Sequence, residues 1–167
     1  MAVENRYVNQ NIIDGKKAVP AYINGDEQRV AVATFEVAAA DDDGSIYRIF
    51  RVNSKMIPVS ITVTNDAITG GTDYDIGIYN ALNGPLSGAV KDADALADGL
   101  DLSSARAEGS GISGLSAVAV DAAQNQLFLL AGDSENDQPG EYDIAITANT
   151  VGTAAGTVTV KATFVQS

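Results

Sequence analysis

The residues with most chemical potential are carboxylates. Asp41-Asp42-Asp43-Gly44-Ser45 puts three of them in a row, Asp133, Glu135 and Asp137 alternate, and Asp92, Asp94, Asp98 and Asp101 are strung through Ala and Leu. Aspartates two apart are what a calcium loop uses, but such a loop also needs a central Gly and a closing Glu at a fixed offset. None of these stretches has both. The triad Asp41–Asp43 therefore reads as a solvated hairpin tip, and the others as exposed acidic excursions.

What is missing narrows the chemistry further. The chain has no His and no Cys. It therefore has no imidazole base or ligand, no Ser-His-Asp machinery, no thiolate chemistry, no Cys-based zinc site and no disulfide. A carboxylate-only hydrolase needs neither residue. It does need two carboxylates opposed across a cleft, and with aromatics at 6% a sugar-stacking cleft is not expected. The composition argues against an enzyme and calls for no cofactor or metal.

Charge is unevenly distributed. The net value is −12, yet residues 1–60 carry seven basic and eight acidic side chains, leaving three and fourteen for residues 61–167. An acidic surface repels phosphate backbones, so nucleic acid is not an expected partner. The near-neutral front suits a surface laid against a protein partner, and the acidic back suits solvent. No apolar stretch approaches the roughly 20 residues that span a bilayer, and no signal peptide or lipidation pattern is visible.

The elements that must position these residues are mostly strands. Ile57–Asn65 and Asp73–Tyr79 both alternate, with Ile57, Val59, Ile61 and Val63 on one face of the first and Tyr74, Ile76 and Ile78 on one face of the second. Asn65-Asp66 and Gly70-Gly71 break the chain between them, so the pair is expected to form a long-looped hairpin. Arg29–Ala40 is apolar on both faces and reads as a central strand. In Ile46–Val52, residues Ile46, Arg48, Phe50 and Val52 alternate with Tyr47, Ile49 and Arg51. Asn80–Ser110 reads as loop, with a turn at Gly84-Pro85 and a short strand at Leu86–Lys91.

Gly114–Ala131 has apolar residues near a 3.6 period and reads as the one helix, ended by Gly132 at C′; Val118 and Val120 also alternate as in a β-hairpin, but Ala and Gln favour the helix. Glu141–Asn149 and Thr157–Val165 are the last strands. Tyr142-Asp143-Ile144-Ala145-Ile146 echoes Tyr74-Asp75-Ile76-Gly77-Ile78, which suggests two strands of similar role. The first 28 residues lack a sustained period and read as an extended arm with one short strand, able to reach ~90 Å if fully drawn out. Residues 29–167 then form the body. Spaced large residues in the arm suggest docking, so Arg6, Tyr7, Ile12, Ile13, Tyr22 and Ile23 are candidate contact residues. Arg48 and Arg51 join them from the body, because Arg is enriched at interfaces; their alternative role is pairing with nearby carboxylates.

The stretches DDDGSIYRIFRV, ITVTNDAITGGTDYDIGIYNA, LSAVAVDAAQNQLFLLAG and YDIAITANTVGTAAGTVTVKATFV, in this order, resemble capsid decoration (cement) proteins of tailed bacteriophages. The resemblance covers roughly residues 29–167. It implies a mainly β, jelly-roll-like antiparallel β-sandwich with one helix and an extended N-terminal arm. It also implies a non-enzymatic protein on the outer surface of the virion, assembled in the host cytoplasm. There it would form a homotrimer, contact neighbouring decoration subunits and clamp the major capsid protein. A tail-fibre or receptor-binding β-module of a virion would share the composition, and a bacterial adhesin would need a secretion signal.

Overall fold

The computed structural model describes residues 5–7 (as backbone), 28–84 and 86–166. Among these lie nine strands: β1 (Asn5–Tyr7), β2 (Gln28–Val37), β3 (Ser45–Asn53), β4 (Met56–Asn65), β5 (Asp73–Asn80), β6 (Val90–Leu100), β7 (Ile112–Ser113), β8 (Glu141–Thr150) and β9 (Gly156–Gln166). One sheet has the order β1-β3-β8-β5-β6 and the other β2-β9-β4-β7. β1 joins β3 in parallel, and every other pairing is antiparallel. With β1 set aside, these are two four-stranded sheets. All consecutive strands from β2 onward switch sheets except β5 and β6. This is the strand order of a jelly roll, the expected sandwich.

The core lies between the sheets. Tyr74, Ile76 and Ile78 of β5 point inward with Ile144 and Ile146 of β8, and meet Ile61, Val63, Val158 and Val160 from the facing sheet. The few aromatics bridge the layers: Phe35 stacks on Tyr47 at 4.9 Å, and Phe50 meets Phe164 edge-on at 6.5 Å. Each fully buried large apolar side chain contributes about 1.5–3 kcal/mol. A Val/Ile/Leu/Ala core is therefore sufficient without Trp.

The strand periods locate the elements, but several expectations give way. β4 and β5 are not a hairpin, because they lie in different sheets. Residues 66–72 cross the end of the sandwich instead. Asn65 Nδ2 donates to the Leu102 carbonyl at 2.9 Å, Ile68 N–H reaches the same carbonyl at 3.0 Å, and Ile68 plugs the gap with no exposure. The face of β4 also flips partway. A bulge between Pro58 and Ser60 sends Val59 out to 51% exposure, while Met56, Pro58, Ile61 and Val63 point in. β2 is an edge strand, not a central one, and its Val30 and Val32 face solvent at 66% and 45% exposure.

Asp41–Ser45 is likewise not a hairpin tip, although Asp43 and Gly44 are exposed. It links the two sheets, with Asp41 buried and accepting from Tyr47 Oη at 2.6 Å. The acidic stretch expected to be loop is β6, eleven residues long and interrupted by register shifts against β5. Between Ile76 and Ile78 the β6 backbone swings over β5, so close that a Cβ on Gly77 would lie 2.3 Å from the Ala93 carbonyl oxygen. Only Gly fits there.

Gly114–Ala131 is not one helix. It is a run of turns with a 3₁₀ turn at Val120–Ala122 and a single α-helical turn, α1 (Leu127–Leu130). A continuous helix would need backbone donors that are already committed. Ala117 N–H bonds Leu96 O on β6, and Phe128 N–H bonds Ser54 O at the β3–β4 turn. The apolar face it would have laid down is not formed either, since two of its members, Ala119 and Leu129, are exposed. The expected stop does hold. Gly132 has φ +74°, its N–H reaches Leu129 O, and Asp133 N–H reaches Phe128 O, which is the Schellman pattern.

Candidate functional site

The two body arginines meet on the outer face of the β3-β8-β5 sheet. Strict alternation would put Arg48 and Arg51 on opposite faces. A register shift at Ile49 brings both to the same one, where they converge on Asp143 of β8. Arg48 Nη1 lies 3.1 Å from Asp143 Oδ2, and Arg51 Nε lies 2.9 Å from Oδ1. Arg48 also donates to Asn80 O at 3.1 Å and Gly88 O at 2.6 Å, and its guanidinium sits 5.1 Å above the Tyr79 ring. Leu82 N–H donates to Asp143 at 3.0 Å. Residues 81–84 and 86–89 therefore close over the pair, leaving Arg48 and Asp143 fully buried. Such a cluster orders a loop and fixes a fold, and Arg48 has no surface left for a partner.

Several other carboxylates are also engaged within the chain. Asp73, Asp75 and Asp98 gather with carboxylate oxygens within 4.8 Å of one another. Asp75 accepts from Gly99 N–H at 2.9 Å and Asn149 Nδ2 at 2.5 Å. Asp43 accepts from Val151 N–H. Asp133 accepts from Lys91 at 2.5 Å and from the Tyr142 hydroxyl. Partial burial works to raise the Asp133 pKa, but the Lys91 and Tyr142 hydrogen bonds and the lysine charge outweigh it and hold it below the usual value. Burial, reinforced by Asp133, pushes the Tyr142 phenol upward. Burial with the charges of Asp41 and Asp43 does the same to Tyr74. The alternating carboxylates after Gly132 do not converge. Asp137 accepts from Ser134 Oγ, and Glu135 pairs loosely with Lys55 at 3.9 Å.

The outer face of the other sheet differs. Its cross-strand rows run Val30–Thr163–Ser60, Val32–Lys161–Thr62 and Thr34–Thr159–Thr64, with Glu36 beside Thr157 at one end. The inward partners on the same strands are the buried Phe35, Val160, Ala162 and Val63. Only Glu36 and Lys161 are charged in these rows. Glu36 accepts from Thr157 Oγ1 at 2.9 Å, and Lys161 is paired with Glu108. Segment 108–111 lies as a ledge along the β4 side, packed against Thr62 and Thr64.

Of the residues singled out in the sequence, Arg48 is buried and Arg51 half-buried, joined through Asp143. Arg6 and Tyr7 lie in β1, beside Tyr47 and Arg48 of β3. Ile12, Ile13, Tyr22 and Ile23 lie outside the described residues. Asp143 was not singled out, although its place in the Tyr-Asp-Ile echo was visible. Val30 and Val32 were on one face in the sequence pattern, but nothing there told which face is outer. Among the described residues no helix is long and apolar enough to cross a membrane.

No protein-family model matches the chain, and no curated protein matches it in sequence. Two solved structures share its fold. A chain in the capsid of Ralstonia phage GP4 has a TM-score of 0.65 at 15% identity, over 97% of this chain and 99% of that one. A chain in the capsid asymmetric unit of cyanophage Pam1 has a TM-score of 0.50 at 15% identity, over 90% of this chain and 93% of that one. At these identities the likeness is one of fold.

Proposed function

We propose that this protein is a non-enzymatic structural component of a phage head, seated on the outside of the shell as a homotrimer that clamps neighbouring major capsid subunits. The observation that carries the reading is end-to-end agreement of fold with a chain from a phage capsid, over 97% of one and 99% of the other. Fold alone does not assign a role. Three further features favour this one. The buried carboxylates and Arg48 are engaged within the chain, the body is strongly acidic, and the rows of one broad sheet face are mostly Val, Thr and Ser. The arm, residues 1–28, supplies contacts to neighbours through Arg6, Tyr7, Ile12, Ile13, Tyr22 and Ile23, and Arg51 contributes from the body.

Light scattering on the purified chain tests the assembly, with a mass of three times 17.2 kDa expected. Pelleting with heads assembled without this protein tests the role. The full chain is expected to bind, and a chain lacking residues 2–25 is expected to fold yet lose at least ~10-fold in affinity, equivalent to ~1.4 kcal/mol. Unchanged affinity of the truncated chain would remove the arm from the clamp. A full chain that ignores heads would remove the function itself.

A further inference from the structure

The two outer faces of the sandwich are built for different purposes. On the β3-β8-β5 sheet, residues 81–84, residues 86–89 and the bulged β6 cover the centre, and the polar groups beneath are tied to one another. On the β2-β9-β4 sheet, segment 108–111 borders the β4 side, and no other described segment is seen to cross β2 and β9. In a chain of net charge −12, its rows hold one Glu and one Lys, the Lys already paired with Glu108 of the bordering ledge, and the rest are Val, Thr and Ser.

The sheet edges point to the same side. Natural sheets protect exposed edges with short strands, bulges, prolines or covering segments. β7 is two residues long, β6 is broken by three register shifts, and β3 is covered by β1. β2 has none of these devices. Its ten residues run in unbroken register against β9, contain no proline, and no described strand pairs with its other side. A long regular edge bordered by exposed Val30 and Val32 is tolerable only where something covers it.

We infer that the outer face of the β2-β9-β4 sheet, centred on Val32, Thr159 and Lys161, is the surface that seats on the shell. This rests on the function proposed above. The partner chemistry is a flat protein surface, low in charge and able to take β-branched methyls and hydroxyls. Charge favours this face, because seating an acidic surface costs the solvation of its carboxylates, and these rows hold only Glu36, beside Thr157, and Lys161, already paired with Glu108. Area explains why the contact suits a shell better than a second copy in solution. Three strands of about ten residues cover on the order of 400 Å², so one contact buries roughly 800 Å² in total, below what a stable pair needs. A shell repeats its surface, and linked copies then bind with avidity.

The test is binding to heads assembled without this protein, with Val30→Glu and Val32→Glu combined in the full-length chain. Val120→Glu is the control, since Val120 is 97% exposed in the 3₁₀ turn Val120–Ala122 and belongs to none of these rows. Melting and solution mass are measured for each. The double variant is expected to keep its mass and fold and to lose at least ~100-fold in head binding, while V120E stays within about twofold of wild type. Wild-type binding is expected not to weaken between 50 and 500 mM NaCl, because a neutral contact has no attraction to screen. The inference is overturned if V30E/V32E binds heads as wild type does. It is equally overturned if the double variant changes the solution mass, which would make the face a contact between copies, or if salt abolishes wild-type binding. If the wild-type chain itself does not bind heads, the proposed function fails first and the seating face goes with it.

Discussion

Replacing Asp143 by Asn tests the reading of the buried cluster as a structural device. Asp143 has no exposed side-chain surface and takes hydrogen bonds from Arg48 at 3.1 Å, Arg51 at 2.9 Å and Leu82 N–H at 3.0 Å. The substitution keeps the shape but leaves the Arg48 guanidinium, itself fully buried, without a counter-charge. Breaking one side of a buried pair costs about 3–5 kcal/mol, against a total stability on the order of 5–15 kcal/mol for a domain. Arg48→Met removes the other side and also takes a donor from Asn80 O and Gly88 O, each worth about 1 kcal/mol. Its cost should be similar. The double variant removes both fully buried charges, and Arg51, which also loses the Asp143 carboxylate, keeps some contact with solvent, so its loss should fall short of the sum by about 2 kcal/mol. Urea unfolding followed by far-UV circular dichroism at pH 7 gives all four corners of the cycle. Glu135→Gln, in the exposed 3.9 Å pair with Lys55, should leave the midpoint where it is. A D143N cost under about 1 kcal/mol, or strict additivity with R48M, would refute the reasoning.

Two further outcomes follow from packing and titration. Gly77→Ala places a Cβ 2.3 Å from the Ala93 carbonyl oxygen; a backbone clash of that kind should cost at least ~2 kcal/mol and lower the melting temperature by roughly 4–8 °C, and a change under about 1 °C would show that β6 does not close over β5 there. Tyr74 and Tyr142 have folded pKa values raised above the ordinary 10.0, so the fold favours their neutral form. Their contribution is complete below pH 10 and is lost as pH climbs from 10 toward the folded values, with a slope of up to about 1.4 kcal/mol per pH unit for each, less where solvent screens the phenolate. Urea midpoints measured from pH 9 to 11.5 should fall only above pH 10, and a flat profile would contradict the burial of these hydroxyls.

Strand periods made much of the sandwich legible, and the failures have definite causes. Alternation in Asp73–Tyr79, Glu141–Asn149 and Thr157–Val165 tracks strands whose inward faces are fixed by the core, and Ile46–Val52 is a strand whose faces change over at Ile49. Alternation says which side is buried, but not which sheet a strand joins. That is why β4 and β5 read as a hairpin when Ile68 and the Leu102 carbonyl send the chain across instead. β6 was illegible because Asp, Ala and Gly are poor strand formers, and its pairing comes from β5 and not from propensity. The segment after Gly114 has a helical period, but Ala117 and Phe128 give their N–H groups to other elements. The arginine cluster was hidden by one residue, since the shift at Ile49 leaves no mark in residue types.

The echo between β5 and β8 connects fold to function. These strands are adjacent, with Ile76 opposite Ile146, Gly77 opposite Ala145 and Ile78 opposite Ile144. Their shared Tyr-Asp-Ile pattern thus puts Asp75 and Asp143 on the outer face of one sheet, where alternation would normally allow any solvated residue. Both aspartates are buried, one held by Gly99 and Asn149 and the other by two arginines and Leu82. A sheet that buries charge on its outer face must be covered, and here the chain supplies the cover from residues 81–84, residues 86–89 and β6. The opposite sheet buries no charge outside and supplies no cover over β2 and β9 among the described residues. A partner seated on the opposite face would leave the hydrogen-bonded cover of the first sheet undisturbed. Loss of the Asp143 cluster should therefore reduce stability without altering what Val30 and Val32 recognise, whereas charge at those two valines should do the reverse.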